Sequence, residues 1–260
     1  MTEKPKYDRR PEVVPSPKWV RVFLGGEAVA DSKNPLLLRA QGHLPVYYFP
    51  TEDVHMEWLR AAQPGTQVTE QGEGPWPDPP PEAQVYTVQV RDCIAANAAW
   101  RLEKTPATHP ELAAHVAFAW QAMDAWYEED EQIRVHPHDP YHRIDVRLSS
   151  RHVRVVIKGE TVAETDRPVL LFETGLPPRY YIPKMDVRMD LLARSDKTTH
   201  CAYKGTAPHY SVQVNGDRVE NIAWYYPFPN YQYAPIQNLI AFYQERIDGF
   251  DVDGERHPAS

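Results

Sequence analysis

The run His200-Cys201-Ala202-Tyr203-Lys204-Gly205 holds the side chains best suited to chemistry. An ammonium group beside a thiol stabilises the thiolate, and an imidazole can act as a base. A glycine after the lysine would let a ligand approach the backbone closely. We therefore take Cys201, Lys204 and His200 as candidate catalytic residues, with Tyr203 and Gly205 as candidate ligand-binding residues. The alternative is structural, because a lone cysteine is often a small buried hydrophobic residue.

A second candidate segment runs from Glu173 to Tyr181 and contains two charged side chains around a Gly-Leu-Pro-Pro sequence. Glu173 and Arg179 suit a pocket for a polar or anionic ligand, and Tyr181 follows them. We expect these three residues to bind the ligand, with His142 as a further participant. The alternative for Glu173 and Arg179 is a surface ion pair.

The segment His136-Pro137-His138 resembles a metal site at first, but zinc usually needs three protein ligands. No carboxylate or cysteine stands at helical spacing from these histidines, so we expect no metal. The glycine-rich phosphate-binding signatures and the GxSxG signature are absent from the sequence as well. We therefore predict no cofactor.

An internal repeat places all of these candidates in the second half of the chain. Residues 19–59 align with residues 152–192 at a constant offset of 133, and 19 of the 41 pairs are identical. Residues 86–131 align with residues 210–255 at an offset of 124. The Cys-Lys loop has no counterpart, since the first copy carries a proline-rich run there, and Ala40 and Val46 replace Glu173 and Arg179. Any chemistry is therefore expected in the second copy.

The repeat predicts two domains, 1–138 and 139–260, of a mostly β (α+β) class. Short alternating segments around Gly25-Gly26 and Asn215-Gly216 indicate antiparallel hairpins, because these turns need positive φ. One helix per domain is expected. Its apolar residues in the second copy fall at i, i+3, i+4 and i+7: Ile236, Leu239, Ile240 and Tyr243. The matching helix of the first copy is expected near Pro110.

Four stretches of the second copy together resemble the domain-of-unknown-function family numbered 427. They are Gly159-Glu160-x-Val162-Ala163, residues 176–189 around Pro177-Pro178-Arg179-Tyr180-Tyr181, residues 200–206 around Cys201, and Ala223-Trp224-x-Tyr226-Pro227. The resemblance covers both copies, except for the Cys-Lys loop in the first. It implies tandem β-tent-like domains without a settled activity. Relatives of that fold often carry a four-cysteine zinc site, which this sequence lacks, and a nucleotidyltransferase-like label finds no acidic metal signature here.

The composition of the chain restricts the classes of partner that we expect the protein to bind. The chain has 28 Lys+Arg and 36 Asp+Glu, a net charge of −8, and no basic stripe, which argues against nucleic-acid binding. No stretch reaches membrane-spanning length and no export signal is visible, so we expect a cytoplasmic protein without a membrane partner. We expect either a monomer whose domains imitate a dimer or a weak homo-oligomer.

Two functions remain open. The first is a small-molecule enzyme or binding protein with its pocket in the second copy, where the ligand is polar or anionic. The second is a non-catalytic tandem module, in which the Lys-Gly loop is a turn and Cys201 is packing.

Overall fold

The computed structural model describes residues 11–40, 42–70, 76–79, 83–102 and 109–257. The chain divides into two compact units, Met1–Asp139 and Pro140–Ser260. Each unit contains one seven-stranded and one four-stranded sheet, and neighbouring strands are antiparallel. The prediction of a mostly β protein with two tandem β domains is confirmed.

The N-terminal unit has eleven described strands: β1 Glu12–Pro15, β2 Val20–Leu24, β3 Glu27–Ser32, β4 Leu36–Arg39, β5 Val46–Pro50, β6 Leu59–Ala61, β7 Ala83–Val90, β8 Cys93–Leu102, β9 His115–Phe118, β10 Ala125–Glu128 and β11 Glu131–Ile133. Its sheet orders are β1-β4-β5-β9-β8-β7-β6 and β11-β10-β2-β3. Short 3₁₀ helices join the strands: Thr51–Asp53, Met56–Trp58, Pro110–Leu112 and Trp120–Ala122.

The C-terminal unit repeats this plan: β12 Ile144–Leu148, β13 Val153–Ile157, β14 Glu160–Thr165, β15 Val169–Glu173, β16 Arg179–Ile182, β17 Leu192–Cys201, β18 Gly205–Val214, β19 Asp217–Trp224, β20 Ile240–Phe242, β21 Gly249–Val252 and β22 Glu255–His257. The sheet orders are β12-β15-β16-β20-β19-β18-β17 and β14-β13-β21-β22. Its 3₁₀ helices are Lys184–Asp186, Met189–Leu191, Tyr231–Ile236 and Gln244–Arg246.

The predicted hairpins form at the expected turns. Val214 pairs with Asp217 across Asn215 and Gly216, whose φ angles are 51° and 83°. Two successive residues with positive φ are typical of the type I′ turn, which suits the twist of the flanking strands. Gly25 and Gly26, at φ 59° and 80°, serve the β2–β3 hairpin in the same way.

The predicted α-helices are replaced by a 3₁₀ turn and a strand. Residues 231–236 form a 3₁₀ helix, and Ile240–Phe242 are strand β20. Asn238 has a φ of 60°, a left-handed conformation that an α-helix cannot pass through. Ala114, the aligned residue of the N-terminal unit, has a φ of 56°. The helical spacing of these apolar residues led to a wrong prediction because Ile236 and Ile240 are both fully buried, Ile236 in the 3₁₀ turn and Ile240 in the sheet. No helix among the described residues is long and apolar enough to cross a bilayer.

The seven-stranded sheet of the C-terminal unit is apolar on both faces. One face packs against the four-stranded sheet through residues such as Leu170, Ile182 and Val212. The other carries a separate cluster that includes no residue of the four-stranded sheet: Val169, Leu171, Tyr181, Ala207, Trp224, Tyr226, Tyr233, Ile236 and Ala241. We call this second face the site face.

Candidate functional site

Most candidate residues come together on the site face because side chains along a strand alternate between the two faces. On β15, Glu173 follows Val169 and Leu171 at intervals of two. Arg179 pairs with Leu171, and Tyr181 pairs with Val169 and Ala241. At the far edge of the sheet, Cys201 ends β17 and pairs with Gly205, which begins β18.

Lys204, Glu173 and His142 form a hydrogen-bonded cluster. Lys204 donates from Nζ to Oε2 of Glu173, and Nε2 of His142 lies 3.0 Å from Oε1 of the same carboxylate. The side chains of Lys204 and Glu173 are only 10% and 8% exposed. Tyr203 stacks on His142 with ring centres 4.4 Å apart. Four of the residues predicted from separate segments are therefore in direct contact.

The cluster keeps Glu173 ionised. Burial by itself would raise the pKa of Glu173, but the hydrogen bond from His142 and the charge of Lys204 outweigh burial and lower the pKa. Both carboxylate oxygens have a partner, so the buried charge of Glu173 is matched by Lys204.

The Lys204–Glu173 ion pair also shows how the sheet is curved. Glu173 ends β15 and Lys204 lies in the turn before β18, with β16, β20 and β19 between them. At the usual spacing between strands, a flat sheet would separate β15 from β18 by roughly 19 Å. The two side chains nevertheless touch, so the sheet curls around the site face.

Three buried tyrosines line the site face between these edges, and we call Tyr181, Tyr226 and Tyr233 the tyrosine cluster. Burial raises the pKa of all three phenols, and their neighbours Cys201 and Glu173 raise it further. The phenols therefore stay protonated at neutral pH. Because the same two groups act on all three phenols, Cys201 and Glu173 both lie close to the tyrosine cluster.

Two hydroxyl groups of the tyrosine cluster have unused hydrogen-bonding capacity. Tyr226 and Tyr233 are 5% and 7% exposed, so their rings are almost fully buried. Neither hydroxyl has a hydrogen-bond partner among the described residues. Some polar atoms of this protein are completely enclosed and have no partner, but these two hydroxyl oxygens are not among them. Each hydroxyl oxygen therefore reaches accessible space. Tyr181 packs edge-on against the indole of Trp224, with ring centres 6.4 Å apart.

Asn230 fixes the loop that carries these tyrosines to the hairpin that carries Cys201. The side-chain amide of Asn230 donates to the carbonyl of Tyr203 at 2.6 Å, and its backbone N–H donates to the carbonyl of Lys204 at 3.1 Å. Gly205 has a φ of 103°, and a Cβ atom there would lie 3.4 Å from the carbonyl oxygen of Phe228. The glycine therefore permits both the backbone conformation and the close approach of the loop.

Two of the predicted site residues, Arg179 and His200, contact residues outside the Lys204–Glu173–His142 cluster. Arg179 makes two hydrogen bonds to Glu245, at 2.6 and 2.9 Å, and its guanidinium lies 5.7 Å from the ring centre of Trp224. His200 is exposed and lies 3.0 Å from the hydroxyl of Thr206. As the neighbour of Cys201 along β17, His200 belongs to the opposite face of the strand.

His209 is a buried histidine beside the site. It is 1% exposed, Nε2 lies 3.0 Å from the Thr199 hydroxyl, and Nδ1 is enclosed without a partner. Burial, with the charges of Lys197 and Arg246, lowers the pKa of His209 to about 4. The residue is therefore neutral at physiological pH.

The N-terminal unit keeps the aromatic framework and lacks the polar groups. The indole of Trp100 donates to the hydroxyl of Tyr48 at 3.1 Å, and these residues align with Trp224 and Tyr181. Tyr226 aligns with Leu102 and His209 with Val85. Trp100 and Trp224 are both buried.

Sequence reasoning missed Tyr226, Tyr233 and Asn230 as site residues. The signal for Tyr226 was present, because a tyrosine stands where the first copy has Leu102. Asn230 gave no signal, since its role depends on a contact between two loops.

This chain belongs to the family described as domain of unknown function DUF427, whose model matches residues 12–129 and 145–253. One match falls in each compact unit, so the protein is a tandem member of the family, as the sequence motifs predicted. A comparison with curated proteins found no match.

Proposed function

We propose that the C-terminal unit binds a small molecule on its site face, between the tyrosine cluster, Cys201 and the Lys204–Glu173–His142 cluster. The observation that carries this proposal is the pair of buried tyrosines, Tyr226 and Tyr233, whose hydroxyls have no partner among the described residues and are not completely enclosed. A buried polar group without a partner costs stability unless water or a ligand satisfies it. The aligned Leu102 indicates that the fold itself does not need a hydroxyl there.

Cys201 is the reactive group of this proposal. It is a half-exposed free thiol at the end of β17, close to the same phenols. A ligand bound to the tyrosine hydroxyls would lie beside the thiol, which could then serve as a polar contact or as a nucleophile. Lys204 supports the site from the turn, where its charge is balanced by Glu173.

Thermal unfolding with a panel of small metabolites tests the proposal. A ligand that binds only the folded state raises the melting temperature. We expect at least one compound to stabilise the wild type and to lose most of its effect on the Tyr226→Phe, Tyr233→Phe double variant. The proposal fails if no compound stabilises the protein, or if every stabilising compound acts equally on the double variant.

One observation favours the second candidate function, a non-catalytic tandem module. Lys204 is hydrogen-bonded to Glu173, and Asn230 holds the backbone of the same turn. These contacts are what a purely structural turn requires. Alkylation separates the two functions, because in a structural module Cys201 would react with iodoacetamide only after unfolding.

A further inference from the structure

Several hydrogen-bond donors at the site have no acceptor among the described residues. A protonated lysine carries three N–H donors. Lys204 makes one side-chain hydrogen bond within the described residues, to Glu173, although its side chain is only 10% exposed. Two donors of an almost buried ammonium group therefore have no acceptor in the part of the chain that the structure describes.

The phenols of Tyr226 and Tyr233, which have Glu173 as a common neighbour with Lys204, add donors of the same kind. Burial raises the pKa of Tyr226 and Tyr233, so each keeps its O–H proton at neutral pH. Glu173, the carboxylate that acts on both phenols, already has His142 and Lys204 as hydrogen-bond partners. The site is thus rich in donors, and its own acceptor is engaged.

From this imbalance we infer that the ligand presents an oxyanion, such as a carboxylate, to Lys204, Tyr226 and Tyr233. An oxyanion has several lone pairs and no donors, so it complements a set of O–H and N–H groups. The carboxylate of Glu173 is itself paired with Lys204, which leaves two further N–H donors of the ammonium group for the ligand. This inference rests on the proposed function and names the chemical class of its ligand.

The alkylation rate of Cys201 can be used to test this inference. Iodoacetate and iodoacetamide react with a thiolate in the same way: the sulfur attacks the methylene carbon, an S–C bond forms, and iodide leaves with the bonding electrons. The thiol proton passes to the buffer. The reagents differ in that one carries a carboxylate and the other a neutral amide.

The experiment measures both alkylation rates at Cys201 and at Cys93 in the native protein, by peptide mass spectrometry at one pH. Cys93 is the exposed internal reference. We expect the ratio of iodoacetate rate to iodoacetamide rate at Cys201 to exceed that at Cys93 by about tenfold, the effect of one charge-assisted hydrogen bond. Because a ratio is compared, ordinary differences in thiol exposure cancel.

Two variants assign the effect to the named donors. Tyr226→Phe removes an unpartnered hydroxyl and should lower the ratio while leaving the fold intact. The Glu173→Gln, Lys204→Met double variant removes both charges together, which avoids an unpaired buried ion, and should bring the ratio to that of Cys93.

The outcomes separate the two proposals. Equal ratios at Cys201 and Cys93 would overturn the oxyanion inference, whereas an accessible site and the proposed function would stand. If neither reagent modifies native Cys201, the site is closed and both proposals fail. A raised ratio that persists in both variants would also overturn the inference, because the named donors would not be responsible.

Discussion

Lys204 donates a hydrogen bond to Glu173, although three strands separate their positions in the seven-stranded sheet. The ion pair joins the β17–β18 turn to the end of β15 and borders the tyrosine cluster. Its counterpart is missing from the N-terminal unit, where Ala40 aligns with Glu173. The pair therefore belongs to what distinguishes the C-terminal unit, and the framework common to both units does not require it.

The first prediction concerns the stability of this ion pair. Lys204→Met leaves Glu173 as an uncompensated buried charge and should destabilise the C-terminal unit by about 3–5 kcal/mol. The Glu173→Gln, Lys204→Met double variant should recover much of that loss. Urea unfolding, followed by hydrogen exchange in peptides of residues 140–257, measures this unit separately. Equal stability of the single and double variants would contradict the prediction.

The second prediction concerns how the free energy of unfolding changes at acidic pH. The pKa of Glu173 is lowered in the folded protein, so its ion pair contributes stability above pH 4.5, the ordinary glutamate value, and loses it as the pH falls through the folded pKa. The free-energy difference between wild type and Glu173→Gln should therefore be constant near neutral pH and shrink below about pH 4.5. Unfolding curves at several pH values measure it, and a difference that grows on acidification would contradict the sign.

The third prediction compares two tyrosine hydroxyls. Tyr226→Phe removes a hydroxyl that no described residue contacts by a hydrogen bond, and it should change the free energy of unfolding by less than about 0.5 kcal/mol. Tyr48→Phe removes the acceptor of the Trp100 indole and should cost about 1–3 kcal/mol. The pair are matched controls, because both rings are buried. A large loss in Tyr226→Phe would show that its hydroxyl is already engaged by the protein.

The fourth prediction concerns His209. Its pKa of about 4 is below the ordinary 6.5, so the unfolded chain binds a proton more readily than the folded protein does. Stability should fall as the pH decreases from 6.5 to 4, by up to about 1.4 kcal/mol per pH unit. His209→Val introduces the residue of the first copy, Val85, and should remove this slope. Parallel slopes in the two proteins would contradict the account.

The sequence predicts the framework well and the site partially. Self-similarity located both units, and positive-φ residues such as Asn215 and Gly216 located the hairpins, because both are local properties of the chain. The helix at residues 236–243 was wrong because its spacing cannot distinguish an α-helix from a buried turn followed by a strand. Comparing the copies identified Glu173 and Lys204. Their mutual contact was not predictable, because it depends on how strongly the sheet curls.

A high-resolution crystal structure that resolves ordered water and ions, from crystals soaked in acetate, tests the central claim most directly. The account predicts density for a water molecule or an acetate ion within hydrogen-bonding distance of Lys204 Nζ and of the hydroxyl of Tyr226 or Tyr233. Soaking with acetamide should not reproduce acetate density at that position. A dry, closed site face, with both tyrosine hydroxyls bonded to protein groups, would contradict it.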